Sequence, residues 1–178
     1  MVETAVLGGG CFWCLEAALR QLKGVREVVS GYCGGHVANP DYRQVCDGQT
    51  GHAEVVRITF DNEQLSYHDL LRAFFAIHDP TTKNRQGNDV GTQYRSVIFC
   101  QSEEQRATAE QLIAALSAKN IWSLPVVTQI AGGELFYEAE PEHQHYLANH
   151  PSQPYCALVV APKVRLLREQ LAELIRHG

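Results

Sequence analysis

Two cysteines three residues apart near the start of the chain, Cys11 and Cys14, are the side chains best suited to do chemistry. They follow the run Gly8-Gly9-Gly10, where a short apolar strand is expected to end in a tight turn. Cys11 then stands at the first turn of a helix, where free backbone N–H groups and the helix dipole favour a thiolate. The spacing places both sulfur atoms on one helix face, as a reversible dithiol requires. We therefore interpret Cys11 as a reactive thiol, in preference to a buried cysteine that only fills the core.

Two other uses of these cysteines stay open from the sequence alone. A general dithiol oxidoreductase would use the same pair, although Phe-Trp is an unusual filling between its cysteines. A structural zinc site would need a second pair of ligands, and the chain has no other Cys-x-x-Cys. His143 and His145 are two residues apart, which is closer than the usual zinc-finger spacing. The residues therefore favour redox chemistry over metal binding.

A carboxyl group at the start of a predicted strand is the candidate proton donor. Glu54 shares its parity with Val56 and Ile58, so we expect it to face the apolar core. Burial raises the pKa of a carboxyl group and suits it to general acid catalysis. The alternative is an exposed carboxylate at the end of the strand.

Three further segments bring polar or thiol groups into loops. The segment 87–96 crowds polar side chains before a strand and offers Asp89 and Tyr94 to a binding site. Tyr42 follows a turn in a similar way. Cys156 lies in a late proline-containing loop, where we expect a thiol that lies outside the core and attacks an oxidised partner cysteine.

The remaining cysteines are expected to have no part in the chemistry. Cys33 lies between glycines and is predicted to be exposed, whereas Cys46 and Cys100 lie on apolar segments and are interpreted as packing residues. No secretory leader is apparent at the start of the sequence. We therefore expect reduced thiols and a cytoplasmic protein.

Apolar periodicity predicts the elements that position these groups. Strands are predicted over 4–7, 25–30, 53–60, 95–100, 126–130 and 135–137. Helices are predicted over 12–22, 66–78, 103–119, 142–149 and 163–176. Long polar loops are predicted over 31–51 and 79–93. Neighbouring strands also occur without a helix between them, so we expect an α/β or α+β fold with a mixed sheet and helices packed on it.

Composition narrows the class of protein further. The 178 residues carry 45% apolar and 20% charged side chains, with a net charge of −5, and we see no linker or repeat. We therefore expect one domain over 1–178. An acidic chain is a poor match for nucleic acid, which selects basic surfaces. No apolar run approaches the roughly 20 residues that span a bilayer, so no membrane partner is expected.

Five segments in order resemble the signatures of the type A peptide methionine sulfoxide reductases. They are 10–13, 31–32, 50–54, 87–96 and 155–156, and the resemblance covers nearly the whole chain. It implies a two-layer sandwich with a ferredoxin-like core. It also implies reduction of methionine S-sulfoxide, free or in peptides and proteins, with no metal or organic cofactor.

The resemblance also implies a role for each matched residue. Cys11 attacks the sulfoxide sulfur and Glu54 protonates the sulfoxide oxygen. Tyr42 and Tyr94 hydrogen-bond that oxygen, and Asp89 supports the site from the neighbouring loop. Such groups meet the needs of the reaction, because cleavage of the S–O bond requires a nucleophile and a proton source at oxygen.

The same resemblance implies how substrate is held and how the enzyme is regenerated. Phe12 and Trp13 hold the substrate methyl group. Cys11 is left as a sulfenic acid, which a second thiol condenses to a disulfide for thioredoxin to reduce. Cys156 matches the late resolving position of the family and is favoured, while Cys14 is the competing thiol and a relay through both stays open. We expect a monomer.

Overall fold

Strands and helices are interleaved along residues 1–176, the part of the chain that the computed structural model describes. The helices are α1 (Phe12–Leu19), α2 (Tyr42–Cys46), α3 (Tyr67–Ile77), α4 (Glu103–Ala118), α5 (Tyr146–Asn149) and α6 (Ala161–Gln170). The strands are β1 (Val2–Gly8), β2 (Val25–Cys33), β3 (Ala53–Asp61), β4 (Arg85–Gln86), β5 (Asp89–Val90), β6 (Val97–Phe99), β7 (Gln129–Ala131) and β8 (Phe136–Glu138). Short 3₁₀ turns occur at Thr92–Tyr94, Pro141–His143 and Ala172–Leu174, and a π-helical turn covers Cys156–Val160.

Six of the strands form one mixed sheet in the order β7-β6-β1-β3-β2-β8. Strand β3 lies near the centre and pairs antiparallel with both β1 and β2. Strand β1 also pairs antiparallel with β6, and β6 pairs parallel with β7. Helix α1 connects β1 to β2, and α3 follows β3 on the way to β6. The inner order β6-β1-β3-β2 with these two helices is a ferredoxin-like core, so the expected mixed sheet with packed helices is confirmed.

The main core lies between one face of the sheet and the helices. Helix α1 contacts β2, β3, α3 and α6. Fully buried residues from four elements meet there, among them Leu15 of α1, Ile58 of β3, Phe74 of α3 and Leu167 of α6. The opposite face of the sheet carries a smaller apolar cluster: Val6, Cys33, Ala53, Val55, Val97 and Phe99. Strand β3 is therefore buried on both faces, and a side chain at its start is removed from water whichever way it points.

The predicted loop over 31–51 is wrong at its start and in its middle, whereas β3 begins at Ala53 as predicted. Strand β2 continues to Cys33, because β8 pairs with its last residues. Helix α2 then forms where the sequence carries a capping box. The Asp41 carboxylate accepts the N–H of Gln44 at 2.8 Å, and the Gln44 side-chain oxygen accepts the N–H of Asp41 at 3.0 Å. This short helix begins at Tyr42, so it sets the direction of the Tyr42 side chain, which is one of the predicted site residues.

Two predicted helices in the last quarter of the chain differ in extent. The helix expected over 142–149 is reduced to α5, because His145 has a left-handed backbone with φ 54° that interrupts the helix. The helix expected over 163–176 begins earlier, at Ala161, and ends at Gln170, since Leu171 leaves the helical region with φ −130°. The loop expected over 79–93 contains the small hairpin β4-β5.

The burial of the cysteines corrects two predictions. Cys33, which was expected to be exposed, is fully buried on the second face of the sheet. Cys156, which was expected to lie outside the core, is also fully buried, because the chain turns inward where the π-helical turn begins. Cys100 is buried and Cys46 partly buried, and the six cysteines have free thiols.

None of the helices within residues 1–176 combines the length and the apolar character that crossing a bilayer requires.

Candidate active site

The turn between β1 and α1 delivers Cys11 to the start of the helix. Gly10 has φ +91°, and a β-carbon there would lie 2.7 Å from the side chain of Gln86, so the position requires glycine. The N–H of Gly10 donates to the carbonyl of Tyr94 at 3.2 Å, which joins this turn to the polar segment before β6. Cys11 is the N-cap residue of α1 and is 7% exposed. The predicted strand, glycine turn and helix are thus confirmed around the thiol.

The thiol of Cys11 is not the preformed thiolate that its place at the helix start predicts. Burial raises the pKa of Cys11 well above its ordinary value, and a hydrogen bond to Cys14 and the charge of Glu54 raise it further. The same thiol–thiol hydrogen bond lowers the pKa of Cys14, against its own burial and with help from the charge of Lys163. The rise in the pKa of Cys11 caused by the loss of water around its sulfur therefore outweighs the fall that the helix N-terminus would cause. In the substrate-free site Cys11 keeps its proton, and Cys14 is the more acidic thiol.

Glu54 lies beside Cys11 as a buried and largely protonated carboxyl group. It is 1% exposed at the start of β3. Its Oε1 accepts the N–H of Phe12 at 3.2 Å, whereas Oε2 has no hydrogen-bond partner among the described residues. Burial raises the pKa of Glu54 to about 8, although the hydrogen bond from Phe12 lowers it. At neutral pH Glu54 is thus mostly protonated, and its buried Oε2 is free to bond a ligand that reaches it.

Two tyrosine hydroxyls complete this side of the pocket. Burial raises the pKa of Tyr42 and of Tyr94, and the nearby charges of Glu54 and Cys11 raise both further. Both hydroxyls therefore stay protonated and can donate hydrogen bonds. The Glu140 carboxylate accepts the N–H of Tyr42 at 3.0 Å, which holds the start of α2 against the site.

An aromatic wall stands next to the thiol. The ring of Trp13 stacks on Tyr146 with centroids 3.7 Å apart and an interplanar angle of 5°. Trp13 Nε1 donates to His143 Nδ1 at 3.2 Å, and the His143 ring in turn stacks on Tyr42 at 4.2 Å. Phe12 is fully buried, with its ring 6.2 Å from that of Tyr42. The apolar wall expected from Phe12 and Trp13 therefore includes aromatic residues that are distant in sequence.

The other side of the dithiol opens into a cleft of about 490 Å³. Tyr155 donates to Asp89 Oδ2 at 2.9 Å, and its hydroxyl lies 3.9 Å from the sulfur of Cys14. Cys156 follows Tyr155 in the chain, and its pKa is raised by burial and by the charge of Cys14. The cleft is lined by Cys11, Cys14, Gln86, Gly87, Asn88, Asp89, Tyr155, Leu158, Val159, Pro162 and Lys163. Asp89 thus meets the dithiol through Tyr155, and Cys14 lies between Cys11 and the region of Cys156.

The sequence-predicted site residues gather on two sides of one dithiol. Cys11, Glu54, Tyr42, Tyr94, Phe12 and Trp13 share the buried side, and Cys14, Asp89 and Cys156 lie toward the cleft. Sequence reasoning gave no role to Tyr155, His143, Tyr146 or Glu140. Tyr155 could have been found, because it adjoins Cys156 in a signature segment. The other three lie about 130 residues after the dithiol and have no local signal.

One group of three potential metal ligands occurs among residues 1–176. It consists of Glu140, Glu142 and His143, with one ligand atom of each within 4.8 Å of the others. Glu140 already accepts hydrogen bonds from the hydroxyl of Tyr32 and the N–H of Tyr42, and His143 Nδ1 accepts one from Trp13. These contacts use both oxygens of Glu140 and one ring nitrogen of His143 to hold the aromatic wall. Cys11 and Cys14 belong to no such group within the described part of the chain.

A ferredoxin-like fold that carries a cysteine dithiol beside a buried protonated carboxyl group defines a thiol-dependent oxidoreductase. The family model described as peptide methionine sulfoxide reductase matches residues 3–174. The chain belongs to this peptide methionine sulfoxide reductase family, and the resemblance found in its sequence is confirmed. It is an oxidoreductase that reduces methionine sulfoxide with thiols.

Individual relatives agree with this membership. The chain is 57% identical to "Peptide methionine sulfoxide reductase MsrA" of Granulibacter bethesdensis over 98% of this chain and 95% of the relative. It is 55% identical to the protein of that name from Ralstonia nicotianae, over 98% of this chain and 94% of the relative. Among solved structures, Mxr1 from Saccharomyces cerevisiae in reduced form superposes with a TM-score of 0.80 at 32% identity, over 87% of this chain and 89% of that one. Methionine sulfoxide reductase A of Corynebacterium diphtheriae superposes with a TM-score of 0.76 at 34% identity, over 85% and 76%.

Proposed function

We propose that this enzyme reduces the S epimer of methionine sulfoxide, free or in peptides and proteins, with Cys11 as nucleophile and Glu54 as general acid. The observation that carries this proposal is the unpartnered Oε2 of Glu54, fully buried beside a thiol. A buried polar atom without a partner is costly, so such an atom in a pocket indicates a ligand that supplies the missing hydrogen bond. A sulfoxide oxygen is a strong acceptor, and a protonated carboxyl group is its natural donor.

The chemical step then balances within this pocket. The sulfur of Cys11, as its thiolate, attacks the sulfoxide sulfur while Glu54 gives its proton to the sulfoxide oxygen. The bond formed between the two sulfur atoms then breaks together with the S–O bond of the substrate, as the protonated oxygen passes to the sulfur of Cys11. Methionine leaves with a reduced sulfur, Cys11 is left as a sulfenic acid, and Glu54 is left as a carboxylate. Because Cys11 and Glu54 both hold protons in the substrate-free site, substrate binding must accompany loss of the Cys11 proton.

The remaining groups bind and orient the substrate. Tyr42 and Tyr94 stay protonated and donate hydrogen bonds to the developing charge on oxygen. Phe12 and Trp13 form the apolar surface that receives the methyl group, next to the dithiol. Asp89 acts from the cleft through its hydrogen bond from Tyr155. An aromatic surface on one side and donors on the other distinguish the methyl group from the oxygen, as selection of one epimer requires.

Regeneration proceeds in this proposal by a thiol relay. Cys14 attacks the sulfenic acid of Cys11, which forms a disulfide and releases water. Cys156 then attacks the sulfur of Cys14, which forms a Cys14–Cys156 disulfide and releases Cys11 as a thiol. The interaction between the two thiols, which raises the pKa of Cys11 and lowers that of Cys14, supports this order.

The final reductant in this proposal is thioredoxin. Yeast Mxr1 has been solved in complex with Trx2, and that chain superposes on this one with a TM-score of 0.58 at 23% identity. The cleft on the Cys14 side offers the reductant an approach to the relay. We also propose a single catalytic domain over 1–178 and a cytoplasmic monomer. It needs no cofactor besides the external thiol.

Chiral product analysis tests the reaction directly. Reduced protein is incubated with racemic methionine sulfoxide and dithiothreitol, and the two epimers and methionine are separated. We expect loss of the S epimer alone with matching methionine, no reaction from Cys11→Ser, and full reaction from Cys33→Ser on the opposite face of the sheet. Equal consumption of both epimers would refute the stereochemical proposal. No consumption of either, with the thiols shown to be free, would refute the reaction.

A further inference from the structure

Glu16 is a buried carboxylate that the proposed chemistry does not use. It lies on α1, two residues after Cys14, with a side chain that is 3% exposed. A buried carboxylate is costly unless charged or hydrogen-bonding partners surround it. Because Glu16 lies on the helix that carries the dithiol, its partners show which segment of the chain is held against that helix.

The partners of Glu16 converge on one of its oxygens. Oε1 accepts the backbone N–H of His145 at 3.1 Å and lies 3.1 Å from Nδ1 of the same residue. It also lies 3.5 Å from Nη1 of Arg20, one turn further along α1. Glu16 therefore fastens the helix of the dithiol to one residue in the last quarter of the chain.

His145 occupies a backbone conformation that needs such support. Its φ of 54° lies in the left-handed region, which a side chain with a β-carbon adopts only at a cost. The residues around it form the aromatic wall. His143 accepts the hydrogen bond of Trp13 Nε1, and Tyr146 stacks on the ring of Trp13 at 3.7 Å. The left-handed turn at His145 thus lies between the two residues whose rings contact Trp13.

We propose that Glu16 is a positioning residue that holds the His145 turn and thereby fixes His143 and Tyr146 against Trp13. The pocket for the methyl group of the sulfoxide is then shaped from the far side of α1. The substrate named here rests on the proposed function, but the positioning of Trp13 does not.

Fluorescence of Trp13 reports the arrangement without any substrate. The chain has two tryptophans, so Trp122→Phe leaves Trp13 as the single indole emitter. Glu16→Met in this background keeps the buried volume and removes the acceptor, whereas Glu16→Gln keeps an oxygen for the His145 N–H. Glu173→Met is the matched control, because Glu173 makes an ion pair of the same 3.5 Å length with Arg72 on an exposed surface.

We expect Glu16→Met to shift the emission of Trp13 to longer wavelength and to raise KM for methionine sulfoxide about tenfold. The estimate corresponds to the loss of one hydrogen bond to a charged group. The change in kcat should stay within about twofold, because the reacting atoms are untouched. Glu16→Gln should keep the emission wavelength and the KM close to those of the parent, because its oxygen still accepts the His145 N–H. Glu173→Met should change neither quantity.

A second variant keeps the test decisive if Glu16→Met does not fold. His145→Ala removes the imidazole contact with Glu16, and the side chain is half-exposed, so the variant should fold. It should shift the emission of Trp13 to longer wavelength by a smaller amount than Glu16→Met. An unchanged Trp13 spectrum in the folded variants would overturn the proposal. A changed spectrum with no sulfoxide reduction by the parent protein would support the positioning of Trp13 and refute the proposed substrate.

Discussion

Substitution of Glu54 by glutamine should abolish rapid catalysis and at the same time stabilise the fold above acidic pH. Glutamine keeps the shape of the side chain and an oxygen for the N–H of Phe12, but it has no proton to give. Loss of a general acid costs roughly 10²–10⁴ in rate. We expect a loss of this size in a single turnover of the reduced enzyme, where reduction of the disulfide does not enter.

The effect on stability follows from the raised pKa of Glu54, which changes from 4.5 in the exposed chain to about 8 in the fold. Between these values the unfolded chain releases the proton that the folded protein retains, so stability falls as pH rises from 4.5 and levels off above 8. The difference of about 3.5 pH units corresponds to roughly 5 kcal/mol, of which roughly 3 kcal/mol is lost by pH 7. Glutamine does not titrate and escapes this loss. Its buried amide adds a cost of about 1–3 kcal/mol that does not depend on pH.

Denaturant unfolding of both proteins at pH 5, 6, 7 and 8, with thiols kept reduced, measures this difference. The free energy of unfolding of Glu54→Gln minus that of the parent should rise by about 1.4 kcal/mol for each pH unit. Glu27→Gln is the control, because Glu27 is exposed on β2, and its difference should stay flat. A flat difference for Glu54→Gln between pH 5 and 8 would refute the reasoning that Glu54 is buried and protonated.

Two further predictions concern the relay and a buried histidine. Cys156→Ser should keep the rate of the first turnover within about twofold of the parent and slow thioredoxin-driven cycling about tenfold or more. Cys14→Ser should also slow formation of the first disulfide. Rapid-quench assays of methionine and thiol titration separate these steps, and unharmed cycling of Cys156→Ser would leave Cys14 as the only resolving thiol. His78 is buried between Phe74 and Ser96, and burial lowers its pKa from 6.5 to about 4. Roughly 3 kcal/mol of stability should therefore be lost as pH falls from 6.5 to 4, and His78→Gln should remove this dependence in acid unfolding.

Local patterns in the sequence predicted most elements of the fold and supplied the candidates for the reacting groups. The glycine turn before Cys11, the apolar parity shared by Glu54 and Val56, and the periodicity of α3 each depend on neighbours only a few residues away. Such short-range constraints predict strands, helices and buried positions, because side-chain direction repeats with the local backbone. The ordered signature segments then indicated the family, which the comparisons confirm.

Predictions failed where a distant segment decides the environment. Cys33 is buried because β8 pairs beyond the expected end of β2, and Cys156 is buried because the chain turns inward at the π-helical turn. The helix start at Cys11 predicts a thiolate, yet the fold buries this sulfur and reverses the direction of the pKa shift. Desolvation is a property of everything that surrounds a group, so no local pattern reports it.

The sequence by itself determined which groups are candidates for the chemistry: a thiol at a helix start, a carboxyl group on an apolar strand face, and tyrosines and cysteines in ordered segments. Only the tertiary structure decided how these groups are tuned. It left Glu54 Oε2 without a partner among residues 1–176, made Cys14 the more acidic thiol, and brought His143 and Tyr146 across about 130 residues to Trp13. The physical reason is that reactivity depends on charge, dielectric and packing at a point in space, where segments remote in the chain contribute as much as neighbours.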